Sequence, residues 1–80
     1  MAVMTKKQAK QFAEMGDFFL DLLNLLRDKG VLNKQEHHRM LLTGYEKLVE
    51  FLEKKKVISS KDAKNAIKKG FTSLVFSLAN

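Results

Sequence analysis

Hydrophobic positions along the chain fall into three stripes with helical spacing. Phe12, Met15, Phe19, Leu22, Leu23 and Leu26 form the first. Leu41, Tyr45, Leu48, Val49 and Leu52 form the second, and Ala63, Ile67, Phe71, Leu74, Val75 and Leu78 the third. The same short phrase precedes each stripe. An apolar pair (Val3–Met4, Val31–Leu32, Val57–Ile58) is followed by Thr5, Asn33 or Ser59, and three places later by Gln8, Glu36 or Asp62. A side-chain oxygen at a helix start accepts an amide hydrogen that the first turn leaves unpaired, and a Gln or Glu three places on can return the bond. The apolar pair sits where a hydrophobic staple belongs. Helices are therefore expected to start near Lys6, Lys34 and Ser60. The first is expected to stop at Lys29–Gly30, a basic last turn followed by glycine. The second runs out in Lys54–Lys56.

Short links between helices imply antiparallel neighbours. The expected fold is all-α, an up-down-up antiparallel three-helix bundle forming one domain over residues 1–80. Gly16, Gly44 and Gly70 each stand eleven residues after a cap. Glycine inside a helix costs about 1 kcal/mol relative to alanine, so these positions need a reason. One reason is close approach of backbones at the waist of the bundle. The other is a break: Asp17 can cap a new helix after Gly16, and Thr43 with Glu46 can cap another near Gly44, giving four or five shorter helices. Helix 1 also carries more apolar surface than two neighbours require. Phe18, Leu20 and Leu25 lie off its main stripe: either helix 1 is central in the bundle, or these residues form a protein interface with a second copy of the chain or a partner helix.

Composition narrows the class. The chain has 80 residues, 45% hydrophobic and 30% charged, as expected of one small folded domain. It has no cysteine, which removes disulfides, thiol nucleophiles and cysteine-based zinc sites and fits a cytoplasmic setting. Its longest apolar cluster, Phe18–Leu26, is too short to span a membrane.

Candidates for chemistry are sparse. His37 and His38 are adjacent and so point about 100° apart on a helix, the wrong spacing for two ligands of one metal. A rim position near the start of the second helix is the expectation for both. Glu14, Asp17, Asp21 and Asp28, and then Glu46, Glu50 and Glu53, run along helix sides as solvated faces do. No nucleophile–base pair and no cofactor motif stands out, so an enzyme is not the expected reading.

Lysine is what remains. Net charge is +6, unevenly spread: residues 54–69 hold seven Lys against Asp62, and residues 11–28 hold one Arg against four acids. In an up-down-up bundle the start of the first helix, the end of the second and the start of the third share one end. That end would collect Lys6, Lys7, Lys10, Lys54, Lys55, Lys56, Lys61 and Lys64, leaving Arg27, Asp28, Lys29, Lys34 and Glu36 at the other. Cations suit a helix C-terminus but work against the dipole in a first turn. The lysines of the first turns therefore suggest an anion-binding pole. Lysine in place of arginine argues for phosphate contacts without base reading. The functional expectation is a non-enzymatic binding or regulatory module, adaptor-like or inhibitor-like. Its partner would be a nucleic acid backbone, bound without sequence preference, or an acidic protein. The alternative is a helical self-assembly unit, such as a homodimer, using the apolar face of helix 1.

Overall fold

The computed structural model describes residues 3–15 and 19–79. Six helices are present among them: α1 (Lys6–Met15), α2 (Phe19–Asp28), α3 (Lys34–Thr43), α4 (Tyr45–Lys54), α5 (Ser60–Lys69) and α6 (Phe71–Leu78). The all-α expectation holds. The three long rods do not, because each predicted helix is two short ones.

The three starts lie where the sequence places them. The Thr5 amide donates to Gln8 Oε1 (2.9 Å) and the Gln8 amide to Thr5 Oγ1 (3.1 Å). Asn33 and Glu36 make the same reciprocal pair, both bonds 2.8 Å. Ser59 Oγ accepts from the Asp62 amide at 3.0 Å, half of the box.

The breaks at Gly44 and Gly70 have one cause. Their φ angles are +93° and +98° with extended ψ, a region essentially reserved for glycine. A Cβ added at either would meet no heavy atom within 4 Å. Close backbone approach is therefore not the reason for these glycines; chain direction is. The break at Gly70 goes beyond the two alternatives drawn from the sequence. Gly16, Asp17 and Phe18 lie outside the described residues, as does the side chain of Met15.

The fold reads as three similar units, each a cap, a ten-residue helix and a second helix, with Gly44 and Gly70 joining the two helices of the second and third units. From Phe19 onward equivalent residues are 26 apart: Phe19, Tyr45 and Phe71; Leu22, Leu48 and Leu74; Leu26, Leu52 and Leu78. Upstream, Ala9, His37 and Ala63 correspond, as do Phe12, Met40 and Ala66, with two extra residues in the first unit's link. The six leucines in these two sets, Leu22, Leu48, Leu74, Leu26, Leu52 and Leu78, are completely buried or nearly so.

From α2 to α6 consecutive helices pack side by side, and α1 packs on α6. Phe12 and Phe71 meet edge to face at 6.2 Å across that seam. Tyr45 ties α4 to α5 by donating its hydroxyl to the Ala66 carbonyl at 2.8 Å. The result measures 27 × 22 × 22 Å, shorter than the roughly 33 Å of a straight 22-residue helix.

The breaks also reset the helix faces. Leu41 and Ile67, assigned to the core stripe, are 42% and 48% exposed, while Met40 and Ala66 are buried instead. A stripe that runs straight through a glycine loses its phase where the helix axis turns.

Candidate functional site

The folded-back units decide where the lysines go. α4 and α6 each return toward the start of the first helix of their own unit. Lys55, just past α4, reaches the Val31 carbonyl (3.2 Å) and the Glu36 carboxylate (3.2 Å) before and in the first turn of α3. Ser77 near the end of α6 shares a hollow with Ser59, Ser60 and Asp62 at the start of α5. The Val3 amide, before α1, donates to the Leu78 carbonyl at the end of α6 (2.8 Å). All three helix starts therefore lie at one pole with the ends of α2, α4 and α6, and the links at Gly44 and Gly70 lie at the other.

This pole gathers Lys6, Lys7, Lys54, Lys55, Lys56 and Lys61, with Lys10 and Lys64 one turn further in; all eight are exposed. It also holds Arg27, Lys29 and Lys34, which a straight bundle would put at the far end. That expectation is corrected: the contact of Lys55 with Glu36 is impossible across the length of a long bundle. Acids at the same pole are fewer: Asp28, Glu36, Glu50, Glu53 and Asp62.

Among the described residues, Lys55 alone of the eight candidate lysines forms an ion pair. Its ammonium also stands 4.6 Å from the centre of the Phe51 ring, a favourable cation–π distance. Lys55 is thus partly a structural strut between α3 and α4. The Glu36 carboxyl is held below its usual 4.5, first by the hydrogen bond from the Asn33 amide and further by Lys55.

Lys56 has φ +62°. It occupies the place of Gly30 (φ +79°) in the first unit. At both turns the next residue's amide bonds back to a leucine carbonyl, Val31 to Leu26 and Val57 to Leu52, each at 2.9 Å, closing a Schellman-type end. A left-handed lysine is costly where glycine is free, and it leaves a cation at the turn.

The pole is cationic by its rim rather than by its hollow. The hollow between the end of α4 and the start of α5 is lined by Lys54 and Lys56 but also by Glu50, Glu53 and Asp62. A ligand held by the lysines would lie across the face, not inside it.

Of the three apolar interface candidates, Leu20 is 52% exposed. Leu25 is half-buried and packs against the core, which accounts for it without a partner. Phe18 lies outside the described residues.

Histidine departs from expectation. His38 is exposed, but His37 is buried, its Nε2 2.8 Å from Asn24 Oδ1 on α2. Adjacent histidines carry no sign of which one faces inward unless the phase of α3 is known. Among the described residues no group of three or more His, Cys, Asp or Glu could hold a metal ion, and no helix is long and apolar enough to cross a membrane.

Comparison of the chain with protein-family models, with curated proteins and with solved structures returns no match.

Proposed function

We infer that this protein is a non-enzymatic binding module, adaptor-like or inhibitor-like, that lays its lysine-rich pole against a polyanion, with a nucleic acid phosphate backbone as the partner that fits best. The observation that carries the reading is the convergence of three helix starts and three helix ends on one face, where seven of the eight candidate lysines have no ion-pair partner among the described residues. Exposed lysines, and a hollow with acids inside it, favour contacts along a strand rather than capture of one anion in a pocket. Lysine ammonium groups hold phosphates as point charges, so little base preference is expected. An acidic protein surface offers the same charge with less regular spacing. The lack of cysteine suits a reducing, cytoplasmic setting.

The test is a titration of non-specific single-stranded and duplex DNA at two or more salt concentrations. The logarithm of the affinity should fall steeply with the logarithm of salt. Replacing Lys6, Lys7, Lys10, Lys61 and Lys64 by Gln should lower affinity and flatten that slope while the fold survives. A salt-independent affinity, or an unchanged one in the variant, removes this reading.

The second reading, self-association, rests on exposed Leu20 on α2 and on Leu42, which is 77% exposed on α3. Sedimentation over a concentration series tests it; a monomer at every concentration excludes it.

A further inference from the structure

We propose that the groove between the end of α2 and the outer face of α3 binds a small phosphate-bearing ligand, a phosphomonoester or diphosphate group, through Arg27 and Arg39 with Lys34, His37 and His38 beside them. This site adjoins the lysine face, sharing Arg27 and Lys34 with that pole, and takes a different kind of partner.

The first support is residue usage. The chain contains two arginines and two histidines against thirteen lysines, and all four of those scarcer side chains line this one groove of about 630 Å³. The rest of the lining is Lys34, Gln35 and Leu42, with no carboxylate. The hollow at the lysine pole, by contrast, holds three acids. A guanidinium presents a planar fork of donors that matches two phosphate oxygens at once, which an ammonium cannot do. Charge placed only for solubility gives no reason for both guanidinium groups to meet at one concavity.

The second support is independent of charge. The units are built alike, yet the pattern is broken here. Positions equivalent to His37 are Ala9 and Ala63, both buried. Alanine therefore serves the fold at this place in two units of three. His37 instead brings an imidazole into the core, which is costly without a hydrogen-bond partner. Asn24 supplies that partner at 2.8 Å; its own equivalents are Glu50 and Phe76, both exposed. A polar pair whose histidine lines the arginine groove has thus been set here and at neither equivalent place.

Nearby acid does not neutralise the groove. The Glu36 carboxylate accepts the Asn33 amide and pairs with Lys55 at 3.2 Å, and it does not line the groove. Arg39 is the smallest of the influences that keep Glu36 ionised. The groove is of a size that suits a compact ligand. A polynucleotide would have to run out of it onto the lysine face, so the two sites are separable by experiment.

Inorganic pyrophosphate and adenosine monophosphate, titrated into the isotope-labelled full chain at constant ionic strength, provide the test. Saturable shifts are expected at the amides of residue 27 and residues 34–39. Arg27→Gln and Arg39→Gln should each weaken binding by about tenfold or more. Both side chains are exposed, so these variants should melt like the parent. His37→Ala, which installs the residue of the other two units, should also stay folded and bind more weakly. Lys6→Gln/Lys7→Gln/Lys61→Gln should leave the small-phosphate affinity unchanged while weakening DNA binding, so failure of one site is distinguishable from failure of the other. Shifts spread equally over the starts of α1 and α5 would overturn the proposal, as would affinity that survives loss of both arginines. So would an oligonucleotide that perturbs the groove when neither small phosphate does.

Discussion

The amide of Val3 donates to the carbonyl of Leu78 at 2.8 Å, and so joins the first helix of the chain to the last. It copies Val31 on Leu26 and Val57 on Leu52, both 2.9 Å. Met4, Leu32 and Ile58 then bond to the same three carbonyls at 3.3, 3.2 and 3.5 Å. The third turn of the ring is thus made between residues far apart in sequence, with the geometry of the two continuous turns.

Four residues separate Leu26 from Val31 and Leu52 from Val57, and four separate Leu78 from Val3 when Asn80 is joined to Met1. A permutant with that junction, opened between Gly30 and Val31, should fold cooperatively with an unchanged helical circular dichroism spectrum. Deleting residues 1–4 removes the Val3 bond and buried Met4 and should cost about 2–5 kcal/mol. A permutant that fails to fold would show that the seam is not equivalent to the other turns.

Gly44→Ala and Gly70→Ala should each destabilise the protein by about 1–2 kcal/mol or more, because the left-handed backbone is refused rather than because space is lacking. For a domain of this size each 1 kcal/mol lowers Tm by about 4–8 °C. A neutral or stabilising alanine at either position would mean that the helices are continuous there.

Lys56→Gly should move the two properties in opposite directions. Relief of the left-handed lysine should raise stability by about 1 kcal/mol, read as a higher denaturant midpoint. Loss of a cation from the pole should weaken DNA binding. A lower midpoint would mean that the Lys56 side chain stabilises its turn by more than its backbone costs.

Acid sensitivity has a located source in Glu36. Its carboxyl is held below 4.5 by the Asn33 amide and then by Lys55, so its stabilisation is complete above the usual carboxylate range and is lost as pH falls through the lowered value. Glu36→Gln keeps an oxygen for the Asn33 amide but loses the charge that holds Lys55. The variant should be less stable than the parent at pH 7, and the difference should shrink below about pH 4. A gap that persists unchanged at pH 2 would assign the effect to packing.

Helix starts were legible in the sequence because caps are local. Thr5, Asn33 and Ser59 each act within three residues of themselves. The break at Gly44 was legible only as one of two alternatives and the break at Gly70 not at all, because periodicity survives them: Leu41, Tyr45 and Leu48 keep helical spacing across Gly44 although the axis turns there. The same loss of phase hid the inward-facing histidine and put Leu41 in the core. The lysine face was legible in part, since the starts of α1 and α5 and the end of α4 meet in either topology. The arginine groove was hidden, because Arg27 and Arg39 sit twelve residues apart on what a straight bundle makes its neutral end.

The most direct test of the convergent pole is a distance between its members. Spin labels at Lys29→Cys and Lys61→Cys, read by pulsed electron resonance, should give one distribution centred inside the 27 Å long axis of the molecule. A distribution centred at or beyond about 30 Å, the length of a straight 20-residue helix, would put α3 and α5 starts at opposite ends and contradict the fold on which the cationic face depends.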